Sequence, residues 1–299
     1  MTTTTTDPGS ERPTWRKVLE FPLITLAIAL AIVAGTTALL GFVLVRLPLP
    51  VSEEAGGAIR VVLAVIAMFG VYKLVIPRLG ARKHDDLPLA GAFRNLGLGT
   101  AGAFALMSMI VGIAAVLGVY RIAGWGGMDS WIFLLFAAGL NAAFFEELVF
   151  RGVLFRWIEE FAGSWAALLV TSALFGAAHI MNDNATWFSS FAIAMEAGVL
   201  LGGAYMLTRS LWAPIGLHFG WNVTQGLVWD VPVSGYDVDG LVEAQLGGNP
   251  LLSGGAFGLE ASLIALIVAT TFGLWLVKLA MDRGQVMKPW WSRASAKGA

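Results

Sequence analysis

Six side chains with the means to do chemistry stand in a part of the chain that is otherwise almost entirely apolar. Glu146, Glu147 and Arg151 interrupt the run Asn141-Ala-Ala-Phe-Phe-Glu-Glu-Leu-Val-Phe-Arg-Gly152, and His179, His218 and Asn222 follow in later apolar runs. Two glutamates, two histidines and an asparagine, gathered in a water-poor site, suit a hydrolytic reaction. A carboxylate in such a place serves as general base to a water molecule. An imidazole holds that water or binds a metal. An asparagine amide beside an imidazole donates hydrogen bonds to the oxyanion of a tetrahedral intermediate.

Spacing divides the labour. Glu147 and Arg151 are four residues apart, so on a helix they share a face and can pair. Glu146 points about 100° away from Glu147 and is left for a different task. Phe175 with His179, and His218 with Asn222, repeat the four-residue spacing. Ser189 and Ser190 have no histidine at a matching spacing, which leaves a serine nucleophile without support from the sequence.

The elements that must position these groups are membrane helices. Hydrophobic residues make up 57% of the 299 and charged residues 13%, against about 25% charged in a soluble domain. A span needs about 20 mostly apolar residues. Eight are expected, at 21–45, 58–79, 97–120, 132–157, 164–181, 186–208, 211–229 and 259–281. The fold class is therefore all-α, a polytopic helical membrane protein. The site is expected on spans four to seven, and the first three spans read as scaffold. The fourth span is long enough to tilt or emerge. The seventh is the least apolar, carrying Pro214, His218, Asn222 and Gln225. Charges at mid-membrane cost roughly 2.5–3.5 kcal/mol on insertion scales, so Glu146, Glu147 and Arg151 call for a functional reading. Glu196, on the sixth span, is given no role. Gly198, Gly202 and Gly203 on that span read as close helix-packing positions.

Three domains are expected: a disordered tail at 1–20, the membrane domain at 21–281 and a C-terminal tail at 282–299. Lysines and arginines near the span ends fall fifteen to one side of the membrane and three to the other, Arg46, Arg60 and Arg121. The positive-inside rule then places both termini in the cytoplasm. The loop 230–258, with Asp230, Asp237, Asp239 and Glu243, falls outside, and the run Arg82-Lys83-His84-Asp85-Asp86 reads as a solvated cytoplasmic loop. With no cysteine, disulfides, thiolate nucleophiles and cysteine metal sites are excluded. A net charge of −1 without a basic domain gives no footing for nucleic acid.

Three motifs in order, Glu146-Glu147-x-x-x-Arg151, Phe175-x-x-x-His179 and His218-x-x-x-Asn222, make the chain resemble the CAAX-protease and bacteriocin-processing family of intramembrane proteases over about 130–230. The resemblance implies an endopeptidase acting on a peptide or a membrane-anchored protein at the bilayer. It implies that Glu146 activates the water with help from His179, that Glu147 and Arg151 shape the site, and that His218 and Asn222 stabilise the oxyanion. It leaves two routes, one free of metal and one using a divalent metal such as zinc on His179, His218 and Glu146. A prokaryotic plasma membrane suits the chain. Two other classes compete, a proton-coupled transporter or channel and a non-catalytic immunity-type membrane protein. The absence of matching halves argues against the first, and the complete motif set argues against the second.

Overall fold

A segment that crosses hydrocarbon must satisfy its own backbone hydrogen bonds, so long apolar runs fold as helices. The computed structural model describes residues 13–295. Its helices of six residues or more are α1 (Thr14–Leu19), α2 (Pro22–Val45), α3 (Glu53–Val75), α4 (Ala92–Val116), α5 (Phe133–Ala162), α6 (Ser164–Ala178), α7 (Trp187–Thr208), α8 (Trp212–Val223), α9 (Leu263–Asp282) and α10 (Trp290–Ser295). Among the described residues seven helices, α2 to α7 and α9, are long and apolar enough to cross a membrane. The polytopic helical architecture is as expected. The span expected at 211–229 is different in kind. It is α8 continued by the π-helical turn Thr224–Val228, too short to count with the seven.

Local chemistry sets the helix starts. Ser52 accepts from the Ala55 N–H at 3.3 Å, and Glu53 and Glu54 occupy the first turn of α3, where carboxylates favour the helix dipole. That is why α3 begins ahead of the apolar run. Thr186 and Ser189 cap α7 reciprocally, and Ser262 caps α9 through the Ala265 N–H at 3.1 Å. Ser189 is thus a capping residue.

Two apolar clusters make the core. One gathers Met107, Leu201, Leu217 and Ala265 with Phe175; the other gathers Met68, Phe144, Leu148 and Leu168. Helix α7 is the central post, with 67% of its apolar window buried against 11% for α2. Glycines allow its close contacts. A Cβ on Gly198 would stand 2.6 Å from Ser172 Cβ of α6, and one on Gly220 of α8 would stand 2.7 Å from Thr100 O of α4.

Three expectations need correction. First, the segments after α4 and α8 are not open loops. Strands β1 (Tyr120–Trp125) and β2 (Val242–Leu246) pair antiparallel, Tyr120 opposite Leu246 and Trp125 opposite Val242. Asp230 accepts from the Gly240 and Ala244 N–H groups, both at 2.8 Å, so one of the loop's acids organises backbone instead of facing water. Secondly, the run at 82–86 is not wholly solvated. Asp86 is fully buried and accepts from Tyr72 at 3.1 Å, Tyr205 at 2.7 Å and Arg156 at 2.8 Å, which locks α3, α5 and α7 together at one end. Thirdly, the described part of the N-terminal segment expected to be disordered holds α1. The C-terminal tail holds α10, and Trp291 packs on Phe161 with ring centroids 5.8 Å apart. Residues 1–12 and 296–299 lie outside the described residues.

Candidate active site

Helix α5 carries the first motif in an altered helical form. Phe133–Asn141 and Leu148–Phe155 are π-helical, and the α-helical piece Ala142–Glu147 between them holds both glutamates. Wide turns of this kind recur at functional sites. Where the hydrogen-bond register changes, a carbonyl is freed for an outside donor. Asn222 Nδ2 donates to Ala138 O at 2.7 Å, which ties α8 to that first wide segment.

Glu147 is the hub of the site. It is fully buried, and its Oε1 accepts from Arg151 Nη1 at 2.7 Å and from His218 Nδ1 at 3.0 Å. The pairing with Arg151 is the one its spacing predicts; the hold on His218 was not legible from spacing. Arg151 is also fully buried. Its Nη2 donates to Ala197 O at 3.2 Å and Gly198 O at 3.3 Å on α7, and its guanidinium lies 4.7 Å from the centre of the Phe175 ring. One arginine thereby joins α5, α6 and α7. A charge so placed is desolvated; both of its Nη atoms are spent on acceptors, while its Nε is buried without a partner among the described residues.

Phe175 accounts for the phenylalanine of the second motif. Its ring stands 4.9 Å from Phe150, 4.8 Å from His179 and 6.0 Å from His218 by ring centroids. It fixes the planes of both imidazoles. His179 sits where α6 tightens into a 3-10 turn, His179–Met181, and its Nδ1 lies 2.7 Å from Phe175 O. A carbonyl only accepts, so Nδ1 carries the proton and Nε2 keeps its lone pair.

Glu146 behaves differently from its neighbour. Its side chain is 35% exposed, and its Oε2 stands 4.0 Å from His218 Nε2. That oxygen is itself buried and has no hydrogen-bond partner among the described residues. The carboxylate therefore has an approach for solvent and a free oxygen facing the imidazole. His179, His218 and Asn222 line one cavity, together with Phe175, Glu196 and Glu260; Glu146 borders the site through His218 and is not among the lining residues. The structure thus brings Glu147, Arg151 and His218 into direct contact, places Glu146 beside His218, and joins His179 and Asn222 through the cavity.

A metal set of His179, His218 and Glu146 has a poor fit. Two ligands of one tetrahedral zinc at about 2.0–2.1 Å lie roughly 3.4 Å apart, less than the 4.0 Å from Glu146 to His218. Among the described residues no group of three or more histidines, aspartates or glutamates is arranged to hold a metal ion.

Glu260 is the lining group that sequence reasoning missed. Its only sequence signal is a carboxylate at the start of an apolar run, easily read as interfacial. It is buried and accepts from the Ser234 N–H, and burial pushes its carboxyl up to about 7.

Residues 128–224 match the family model of the type II CAAX prenyl endopeptidase Rce1-like proteins. That segment holds all three motifs, and over it the family resemblance is shown. The match supports an intramembrane endopeptidase of the CAAX type in general terms. No curated protein and no solved structure matches the chain.

Proposed function

We propose that this protein hydrolyses a peptide bond of a membrane-anchored protein or peptide, with Glu146 as general base to the attacking water. The observation that carries the proposal is the split between the two glutamates. Glu147 is fully buried with its Oε1 held by both Arg151 and His218, while the Glu146 side chain is 35% exposed and stands 4.0 Å from His218 without a hydrogen bond to it. Glu146 takes a proton from the water as it attacks the carbonyl carbon, then gives that proton to the leaving amine. His179 accepts the water's second hydrogen through Nε2 and so aims its lone pair. His218, held at Nδ1 by Glu147, donates as imidazolium through Nε2 to the oxyanion. Asn222 has a second N–H left after its bond to Ala138 O and adds a donor. One positioned base is worth about 10²–10⁴-fold and one oxyanion donor about 10²–10³-fold.

The reaction needs no metal in this arrangement, and none is assigned. The family match supports, as substrate, a prenylated CAAX-type protein or a related membrane peptide. Charge segregation supports both termini on the cytoplasmic side, and a prokaryotic plasma membrane is the proposed location. Arg82, Arg156, Arg209 and Arg293 border one cavity at the end where α1 and α10 lie, and Asp230, Asp239 and Glu243 lie at the hairpin end. Cleavage of quenched-fluorescent prenylated peptides by the full chain in liposomes tests the proposal. Glu146→Ala, His179→Ala and His218→Ala are expected to insert, purify and fail to cleave. Full cleavage by Glu146→Ala would sink it.

A further inference from the structure

The cavity beside the two histidines contains two carboxylates that the proposed reaction does not use. Glu196 projects from the middle of α7 and is 1% exposed; Glu260, in the turn before α9, is 4% exposed. Both line the cavity with His179, His218 and Asn222. Glu196 Oε2 has no hydrogen-bond partner among the described residues. Neither carboxylate has a lysine or arginine of the chain within ion-pair distance among those residues. Two acids in one dry cavity repel each other and lack the counter-charge that buried carboxylates ordinarily find. Glu147 shows the usual solution a short way off, with Arg151 as its partner. Apart from His218, which lines the same cavity, the charge that would answer Glu196 and Glu260 is either a proton, when the cavity is empty, or a cation brought from outside the chain.

The walls say what kind of cation fits. Ile193, Leu200, Leu217 and Trp221 surround the two acids. Apolar walls ending at carboxylates match a long side chain that buries a methylene stem and carries its charge at the tip. A small hydrated ion gains nothing from such walls.

We infer that Glu196 and Glu260 form a subsite for a lysine or arginine side chain of the substrate, close to the bond that is cut. The inference rests on the endopeptidase reading. The subsite adjoins the oxyanion donors, so filling it draws the scissile carbonyl toward His218 and Asn222. Neither acid touches the reacting atoms; both are specificity groups.

Two readouts on the purified full chain test it. In the first, thermal unfolding is followed with n-butylammonium, n-butylguanidinium and, as neutral control, 1-butanol. Wild type and Glu146→Ala should show a saturable rise in midpoint with the two cations alone, and Glu196→Gln and Glu260→Gln should lose it. In the second, peptides differing only in Lys, Arg or Met at each position near the cleavage site are compared. Wild type should favour the cation at one position by about tenfold or more in kcat/KM. Each Gln variant should bring that ratio toward one while cutting the Met peptide as wild type does. The single variants are read separately, so failure of one to fold leaves the other as the test.

No saturable shift in wild type, or a shift and preference that survive both substitutions, overturns the subsite. Cleavage that needs Glu146 but shows no cation effect overturns the subsite and leaves the endopeptidase standing. A Glu196- and Glu260-dependent cation shift without cleavage of any peptide overturns the assignment to a substrate and the endopeptidase reading with it.

Discussion

Removing Arg151 and Glu147 singly and together separates their part in folding from their part in chemistry. Both are fully buried and 2.7 Å apart. Arg151→Met leaves a buried carboxylate with His218 as its remaining donor, a loss of about 3–5 kcal/mol. It also surrenders the bonds to Ala197 O and Gly198 O and the packing over Phe175. Glu147→Leu strands the guanidinium at similar cost. Together the two substitutions replace an ion pair with apolar groups of like volume, which is often near neutral. What remains is His218 without its acceptor, about 1–3 kcal/mol, and the loss of the Arg151 bonds to Ala197 O and Gly198 O, which the Arg151 single variant shares. The double variant should therefore be more stable than the sum of the singles predicts, by several kcal/mol, where independent sites add within about 0.5 kcal/mol. Unfolding in detergent–denaturant mixtures, extrapolated linearly, reads this directly. Activity should not follow stability. An orienting carboxylate on a histidine is worth about 10⁴-fold in the best-studied hydrolases, so the refolded double variant should cleave at a small fraction of the wild-type rate. Additive destabilisation, or recovered cleavage in the double variant, refutes the reasoning.

Other outcomes follow from the same geometry. Gly198→Ala should cost about 1–3 kcal/mol through overpacking, because its Cβ would meet Ser172 at 2.6 Å, whereas Gly97→Ala on α4 has nothing within 4 Å and should be tolerated; parallel unfolding titrations compare them. Glu260 has its carboxyl raised from 4.5 to about 7 in the folded protein, so between those values the folded state holds a proton that the unfolded chain releases. Stability should fall as pH rises through that window, by about 3 kcal/mol, and Glu260→Gln should flatten the slope in unfolding titrations at stepped pH. Cleavage should survive exhaustive chelation if the side chains act alone, Glu146 standing 4.0 Å from His218, farther than two ligands of one zinc; activity lost to chelator and restored by zinc would put a metal in the site.

The site was legible because its chemistry is expensive in a membrane and its helices are regular enough for spacing to count. Glu147 and Arg151 pair as their four-residue separation requires, and His218 and Asn222 do share a buried face. The missing parts depend on tertiary partners that no local pattern encodes. The π-helical turns of α5 depend on acceptors and donors outside the helix, such as Asn222. Asp86 looks like a loop charge until Tyr72, Tyr205 and Arg156 arrive from three helices. The β1–β2 pair links segments separated by four helices, so neither strand advertises its partner. Glu260 sits at a helix start, where acids are common, and only the folding back of the 230–258 segment buries it.

The central claim is that water, activated by Glu146, attacks the peptide directly. Single-turnover cleavage in H₂¹⁸O, followed by mass spectrometry of product and enzyme, tests it. One ¹⁸O should appear in the new C-terminal carboxylate and none in the enzyme peptide carrying Glu146. Label on Glu146 would mean that the glutamate itself attacked the carbonyl, and would contradict the account.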